Sequence, residues 1–532
     1  MVLSCGKPDK VHERVPEVSG DESSMDYIVF PDREYQEIDN FGASDAWAMK
    51  IVGKNWPLEK REKIADLLFS MDTDAYGQPK GIGLSLWRMQ FGPGSDDPAH
   101  SGMAPGWDAS GCIRSETGEY DMSLTGVAGG QFWMLKAAKE RGVEQFLGFC
   151  NSPPWYYTIT GMTNALNNKD YWYKLNISDE NLPKFGEYLA EIVRRTKEVH
   201  DVDFTHICPL NEPEWEADGM ETCHANNYEV AKVARAVSKK FTEYGLSAKV
   251  VVPESGKPQF VYYYEPYLGV GIVDPKSYGW KARNFFSEDG ESDCYIGLDN
   301  VAKLLATHSY WSVNTDNELR QIRTQVGDEI NKYGIKYWET EFCILSNDYD
   351  LGTMPDGTAV GGSGRDYTMK LGLYVARIIH ADLVYANASA WHWWIGATPN
   401  DYKDGLIYLI GGQQDGEVTD SKLLWTFGNF SRFIRPGAHR IRIASDEGDT
   451  DNLHGMLTSA YKNKDGKIVV VMINYTDSKQ PVNLNANDGK ARRYIPYVTS
   501  DREGDNLRPD REISDSEAYE LPARSVVTFC EI

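Results

Sequence analysis

Between residues 38 and 428, short apolar runs alternate with longer segments that have helical periodicity. Each apolar run ends in glycine, proline or a polar cluster, as buried parallel strands do. The apolar runs lie at 41–48, 81–92, 146–154, 204–213, 248–255, 303–311, 336–343 and 388–396. The main helical segments lie at 58–71, 123–142, 182–200, 227–245, 316–334 and 368–387. Eight strands alternating with helices predict a (β/α)8 TIM barrel over residues 43–428.

An open, doubly wound α/β sheet is the alternative reading of the same alternation. That fold would favour a glycine-rich turn after the first strand. The first run, FGASDAWA, has no G-x-G-x-x-G, and the chain has no G-x-x-x-x-G-K-[ST] sequence. The closed barrel is therefore favoured.

After residue 428 the periodicity shortens to two. Runs such as KIVVVMINYT and SVVTFCEI are separated by Asp, Asn, Gly and Lys turns, which is typical of an antiparallel β-sandwich. We therefore predict a β-sandwich domain over residues 429–532. Residues 26–42 are also strand-like, so we expect both chain ends to build this smaller domain. Residues 1–25, rich in polar residues and proline, indicate a flexible leader or tether.

Charge and cysteine usage exclude several classes of protein. A formal net charge of −24 argues against binding to nucleic acid or to an anionic membrane surface. No run approaches the roughly 20 apolar residues of a membrane span. The eight cysteines contain no C-x-x-C, so neither a zinc site nor a disulfide framework is indicated. The stretch DTDAYG at 72–77 lacks the later oxygens of a calcium loop, and we expect no metal and no cofactor.

The N-terminal stretch VLSC, residues 2–5, matches the end of a bacterial lipoprotein signal with Cys5 as the lipidated residue. Leu3 is atypical for that signal, and the apolar region of a signal peptide is missing. A lipid anchor and an ordinary leader therefore both stay open. We expect a bacterial, extracytoplasmic protein, whether secreted, periplasmic or on the cell surface, and a monomer.

Polar and aromatic residues accumulate at the carboxyl ends of the apolar runs. In a TIM barrel these ends form the mouth that carries the active site. The residues are Asp45, Trp47, Arg88, Asn151, Trp155, Asn211, Glu212, His308, Tyr310, Glu341, Trp391 and Trp393. A sequence shaped only by core packing would give no reason for this polarity. We therefore predict that these residues catalyse a reaction or bind a substrate.

Glu212 and Glu341 end the fourth and seventh strand candidates, which a barrel brings together across its mouth. Two carboxyl groups flanking a glycosidic bond are what sugar hydrolysis needs. One must stay protonated, which requires a raised pKa, and the other must stay ionised. Asn211 is placed to hold a sugar hydroxyl, and Arg88 and Tyr310 to hold Glu341 as a carboxylate. Taken alone, the Asn-Glu-Pro sequence favours a solvated loop glutamate or a local ion pair over a catalytic residue.

The motifs PLNEP, YWETEF, LSLWRMQFG, NSPPWY, THSYW and GNFSRFIRPG resemble those of glycoside hydrolase family 30 over residues 35–532. The resemblance implies a retaining double displacement, with Glu212 as general acid/base and Glu341 as nucleophile. Glu339 is the rival candidate, because it lies two residues before Glu341, on the same face of the strand and one step deeper. The family pattern, however, places the nucleophile just before the aromatic residue. We read Glu214 and Glu216 as loop residues.

The sequence indicates the type of reaction more clearly than the sugar on which the enzyme acts. NSPPWYYTITG resembles the branch of the family that acts on the β-1,6-galactan side chains of arabinogalactan. A β-1,6-glucanase, a β-xylanase and an exo-acting β-glycosidase would share the catalytic residues. The xylanase branch is expected to have a basic pocket for glucuronic acid in its β-domain. An arginine cluster lies there, and it fits either such a pocket or inter-domain salt bridges: Arg432, Arg435, Arg440 and Arg442.

Two further alternatives stay open in the sequence. A non-catalytic glycan-binding protein on the same scaffold would lack one carboxylate, and both are present. The aromatic segment 257–300 is far longer than an ordinary loop. It could wall the substrate cleft or pack on the barrel.

Overall fold

The protein is described by a computed structural model. The structure describes residues 24–102, 119–215, 220–263, 277–291, 293–345, 359–445 and 452–532. Cys5, the candidate lipidation site, and Glu216 lie outside these residues. Within them, no helix is both long and apolar enough to cross a membrane.

The catalytic candidates sit on a closed barrel of eight parallel strands. The chain begins with β1 (Met25–Ile38), which belongs to the side domain. The barrel strands are β2 (Asn40–Ser44), β3 (Leu86–Gln90), β4 (Gln145–Phe149), β5 (His206–Cys208), β6 (Lys249–Ser255), β7 (Val301–His308), β8 (Lys336–Glu341) and β9 (Ala390–Thr398). Each strand pairs with the next, and β9 pairs with β2 to close the barrel. The TIM-barrel prediction is confirmed, and each apolar run overlaps one barrel strand.

Helices cover the barrel, and their ends follow local sequence signals. They are α1 (Ala48–Asn55), α2 (Leu58–Phe69), α3 (Pro98–Ser101), α4 (Gly129–Glu140), α5 (Leu182–His200), α6 (Asn227–Glu243), α7 (Lys281–Phe286), α8 (Asp316–Tyr333), α9 (Met369–Val384) and α10 (Lys422–Ser431). Asn226 and Glu229 form a capping box that starts α6. Gly334, at φ 59°, ends α8 in the left-handed conformation that glycine tolerates.

A hairpin after the eighth barrel strand was not anticipated. It consists of β10 (Gly405–Gly411) and β11 (Gly416–Asp420). β10 pairs in parallel with β9, so the barrel sheet has a two-stranded extension.

The side domain is a β-sandwich that uses both chain ends, as predicted. Its remaining strands are β12 (Ala438–Ser445), β13 (Met456–Lys462), β14 (Ile468–Asn474), β15 (Gln480–Ala486), β16 (Arg493–Ser500), β17 (Arg508–Pro509), β18 (Ile513–Ser514), β19 (Tyr519–Leu521) and β20 (Ser525–Glu531). β1 pairs with β12 in the antiparallel and with β15 in the parallel sense. Residues 40–42, which we grouped with this domain, lie instead in barrel strand β2, because only Asp39 separates β1 from β2.

The arginine cluster joins the two domains through neutral acceptors. Arg432 donates to the carbonyl oxygens of Ser70 and Gly81 on the barrel side. Arg435 donates to Gly83 O at 2.5 Å. At these two arginines, hydrogen bonds to the main chain take the place of inter-domain salt bridges, one of the two alternatives that the sequence left open.

Candidate active site

Glu212 and Glu341 meet at the carboxyl end of the barrel. Glu341 is the last residue of β8, and Glu212 follows β5 on a turn where its φ is 46°. One oxygen from each carboxyl group and a ring nitrogen of His308 all lie within 4.8 Å of one another. Retaining glycosidases hold their carboxyl groups about 5 Å apart, and inverting enzymes about 6.5–9.5 Å apart. The spacing of this pair therefore suits direct attack by one carboxylate, with no water between them.

His308 lies between the two glutamates and is completely buried. Its Nδ1 is 2.8 Å from Glu212 Oε1 and 3.6 Å from Glu341 Oε1. Burial lowers the pKa of His308, but the carboxylates of Glu341 and Glu212 outweigh burial and leave the pKa raised. His308 can thus donate a hydrogen bond to Glu212, whose side chain is 26% exposed and open to a substrate.

Arg88 and Tyr310 both bind Glu341, in the contacts that we expected. Arg88 Nη1 donates to Glu341 Oε2 at 2.8 Å, and the Tyr310 hydroxyl donates to Oε1 at 3.1 Å. Burial raises the pKa of Glu341, and the positive charges of His308 and Arg88 oppose that rise without cancelling it. Both oxygens of Glu341 therefore accept hydrogen bonds that favour its ionised form.

Arg88 also organises the acid side of the site. Its Nη2 donates to Asn211 Oδ1 at 2.7 Å and to Glu254 Oε2 at 3.0 Å. Glu254, a completely buried residue near the end of β6, was not among the predicted site residues. The signal was present, because VVVPES places a carboxylate at the end of an apolar strand, as at Glu212 and Glu341.

Asp45 was predicted to bind substrate, but both of its carboxylate oxygens are hydrogen-bonded within the protein. It is completely buried. Gln90 N donates to its Oδ1 at 2.9 Å, and Gln131 Nε2 donates to its Oδ2 at 3.0 Å. Burial raises the pKa of Asp45 to about 7. Asp45 N also donates to Arg88 O at 3.0 Å. Asp45 therefore connects the end of β2 with β3 and, through Gln131, with α4.

Trp391 and Trp393 were also predicted to bind substrate, and the structure contradicts this too. Trp391 Nε1 donates to Asp382 Oδ2 of α9, and Trp393 Nε1 donates to Asp404 O. Trp394 is the residue on the Arg88 side, with its ring 5.8 Å from the guanidinium. The pairing of β2 with β9 slips at Ser44, and a slip of one residue exchanges the faces of a strand.

Trp47, Asn151 and Trp155 occupy the loops around the mouth. The Trp47 ring meets Trp394 edge-on at 5.6 Å. Asn151 Nδ2 donates to Glu221 at 3.3 Å, beneath the surface. Trp155 is partly exposed, and its ring stacks on His100 at 3.5 Å. Trp47 and Trp155 thus present aromatic faces of the kind on which sugar rings stack.

Glu339 and Glu214 have structural partners. Glu339 is completely buried and accepts from His392 N at 3.3 Å. Burial and then Asp382 raise its pKa well above the usual range. We assumed that Glu339 and Glu341 lie on the same face of β8. This is wrong, because the register between β7 and β8 shifts between these two residues. Glu214 lies in the loop after β5, as predicted, and there forms a fully buried ion pair with Lys281 at 2.5 Å.

The described part of the aromatic segment packs beside Glu212. Phe260 and Tyr278 are buried together and contact partly buried tryptophans, including Trp215 and Trp311. The Trp215 and Trp311 rings stack at 5.7 Å. Trp215 N donates to Glu212 O at 3.0 Å, so this aromatic group adjoins the acid side of the mouth.

A TIM barrel with two facing glutamates at its mouth and a β-sandwich at its side defines a glycosidase. The family comparisons agree with this class. The model of O-Glycosyl hydrolase family 30 matches residues 25–408, and that of the family 30 beta sandwich domain matches residues 437–529. The chain belongs to glycoside hydrolase family 30.

Individual relatives are similar to different extents. Glucuronoxylanase XynC of Bacillus subtilis (strain 168) is 30% identical over 160 residues, which span 30% of this chain and 33% of that protein. A conserved exported protein from Bacteroides fragilis is 33% identical, with a TM-score of 0.82, over 95% of this chain and 99% of that chain. Xylanase C from Talaromyces cellulolyticus, 21% identical over 95% of this chain and 100% of that chain, has a TM-score of 0.64 and shares the fold.

Proposed function

We propose that this protein is a retaining, endo-acting glycoside hydrolase with Glu212 as general acid/base and Glu341 as nucleophile. The observation that carries the assignment is the spacing of the two carboxyl groups, with oxygens within 4.8 Å of each other. Their surroundings support opposite roles. Glu341 is bound by Arg88 and Tyr310, whereas Glu212 is more exposed and bonded to His308.

The reaction follows from these positions in two steps. Glu341 forms a bond to the anomeric carbon while the bond from that carbon to the leaving oxygen breaks, and Glu212 gives its proton to that oxygen. Water then attacks the same carbon, Glu212 takes a proton from the water, and the ester bond to Glu341 breaks. Two inversions at one carbon retain its configuration.

As substrate we propose β-1,6-linked galactan, the side chains of arabinogalactan. The loop after β4 carries the sequence NSPPWYYTITG, and its Trp155 offers a partly exposed ring. A neutral polymer suits a chain of net charge −24. Arg432 and Arg435 use their donors on main-chain carbonyls, which favours a neutral sugar over one bearing glucuronic acid.

We further propose that the enzyme acts outside the cytoplasm. The exported protein from Bacteroides fragilis, 33% identical over 95% of this chain, supports this location. Release of active enzyme by osmotic shock, or its labelling on intact cells, would test it. Recovery of all the activity with the cytoplasmic fraction would contradict it.

A panel of β-1,6-galactan, β-1,6-glucan and glucuronoxylan tests the substrate. We expect the highest kcat/KM on galactan, with a ladder of oligosaccharides as early products. Early release of monosaccharide alone would refute endo action. A preference for xylan would favour the β-xylanase alternative. The 30% identity to Glucuronoxylanase XynC over 160 residues supports that alternative.

Substitution of the two glutamates tests their roles. Glu341→Ala should reduce kcat about 1,000-fold or more, whereas Glu339→Gln, on the same strand, should retain turnover. Glu212→Ala should lose less on an aryl glycoside with a good leaving group than on galactan, because such a group needs no proton. Azide should restore turnover to Glu341→Ala with inverted product and to Glu212→Ala with retained product. The reverse pattern would exchange the two assignments.

A further inference from the structure

Arg88 is bonded to two buried carboxylates, of which Glu341 is one and Glu254 the other. Arg88 Nη1 donates to Glu341 Oε2 at 2.8 Å, and Nη2 donates to Glu254 Oε2 at 3.0 Å. The Arg88 and Glu254 side chains are 1% and 0% exposed. Water therefore does not reach the Arg88–Glu254 pair, and leaving the buried guanidinium without a counter-ion would strongly destabilise the site.

Glu254 also contacts the proposed acid through its main chain. Glu212 N donates to Glu254 O at 2.9 Å. Both residues have φ in the left-handed region, at 46° and 50°, which is uncommon for residues other than glycine and clusters at functional sites. Glu254 is thus linked to Glu212 by its carbonyl and to Glu341 by way of Arg88.

We propose that Glu254 is a positioning residue that remains as the counter-ion of Arg88 when Glu341 becomes an ester. This inference rests on the proposed double displacement. In the free enzyme, Arg88 lies between two carboxylates. In the glycosyl-enzyme, Glu341 is bonded to the sugar and carries no charge, so Glu254 supplies the negative charge that keeps Arg88 in place. Arg88 in turn remains hydrogen-bonded to Asn211, with Nη2 2.7 Å from Oδ1.

The second carboxylate also tunes the nucleophile in the free enzyme. Because Glu254 shares the positive charge of Arg88, that charge acts less strongly on Glu341 than it would alone. Removing the charge of Glu254 should therefore lower the pKa of Glu341 and make its carboxylate a weaker nucleophile. The other titratable side chains that face this array stay in the chain: Glu212, His308, Tyr310, Glu339 and Cys343 near Glu341, and Asp45, Cys208 and His392 near Arg88 and Glu254. Glu254 helps to raise the pKa of the Cys208 thiol, so the substitution also eases that rise.

Glu254→Gln tests the proposal, because it removes the charge and keeps the shape. We expect kcat/KM to fall about 10- to 100-fold and the acid limb of its pH profile to move down by about half a unit or more. Glu214→Gln is the matched control, since Glu214 is equally buried but pairs with Lys281. This control should leave the acid limb unchanged. Glu254→Asp, which keeps the charge, should restore the wild-type acid limb.

A second measurement uses the wild-type enzyme, so it does not depend on whether the variant folds. In a crystal structure of the glycosyl-enzyme trapped with a 2-deoxy-2-fluoro sugar, Arg88 should remain bonded to Glu254. Departure of Arg88 from Glu254, or a Glu254→Gln variant with lower activity and an unmoved acid limb, would overturn the proposal. Full activity of Glu341→Ala would instead refute the double displacement itself, so the two failures are distinguishable.

Discussion

Tyr310→Phe is the sharpest probe of how the structure holds the proposed nucleophile. The substitution removes one hydroxyl group, which donates to Glu341 Oε1 at 3.1 Å, and leaves the ring in place. Burial, and then the nearby Cys343 and Glu341, raise the pKa of Tyr310 well above its usual value. The phenol therefore stays protonated throughout any practical assay and always acts as the donor.

The size of the effect follows from the geometry of this hydrogen bond. A hydrogen bond to a charged group contributes about 1.5–3 kcal/mol. The bond of 3.1 Å is longer than the roughly 2.5–2.7 Å of strong hydroxyl–carboxylate bonds, so we expect about 1 kcal/mol. One pKa unit corresponds to about 1.4 kcal/mol, which gives about 0.7 unit. Because the bond favours the ionised form, its loss raises the pKa of Glu341, and the acid limb moves to higher pH.

The assay is the pH dependence of kcat/KM, which reports the ionisation of the free enzyme. Tyr337→Phe is the control, because the Tyr337 hydroxyl is buried nearby but lies 2.8 Å from Thr307 Oγ1. We expect the acid limb to move upward for Tyr310→Phe and to stay in place for Tyr337→Phe. An acid limb that stays or moves downward for Tyr310→Phe would refute the reasoning. The two variants at Tyr310 and Glu254 are thus expected to shift the same limb in opposite directions.

Two stability predictions concern the start of α8. Thr315 Oγ1 accepts from Glu318 N at 3.2 Å. Thr315→Ala should therefore lower the free energy of unfolding by about 1 kcal/mol and leave kcat/KM unchanged. Equal stability of the two proteins in urea would contradict this. Burial raises the pKa of Asp316, but His454 and Arg377 outweigh burial and lower it overall. Asp316→Asn should therefore reduce Tm at pH 7, and the difference should shrink as the pH falls below about 4. A difference in Tm that persists undiminished at pH 3 would show that this charge does not stabilise the fold.

Much of the fold could be predicted from the sequence because its signals are local. The segment 182–200 carries a helical apolar period from end to end, and α5 has those bounds. The run FTHICPLNEP gives β5 only at His206–Cys208, since proline at 209 cannot donate a strand hydrogen bond. Polar residues gathered at strand ends likewise marked Glu212, Glu341, Arg88, His308 and Tyr310.

The errors arose where a residue's environment depends on neighbours distant in the chain. Trp391 and Trp393 were selected on strand position alone, yet the slip between β2 and β9 brings Trp394 to the Arg88 side. Glu339 was given the parity of Glu341, yet the shift between β7 and β8 separates them. Strand register is set by contacts between strands, and a single run of residues does not contain that information.

The sequence by itself thus determined the order of strands and helices and the positions of the two carboxyl groups that we propose as catalytic. Tertiary structure decided which of these groups share partners. Arg88, on β3, joins Glu341 of β8, Glu254 of β6 and Asn211 after β5. Asp45, at the end of β2, is bonded to Gln131 and buried instead. The physical reason is that hydropathy periods are local along the chain, whereas burial and charge pairing depend on distances that exist only after the barrel closes.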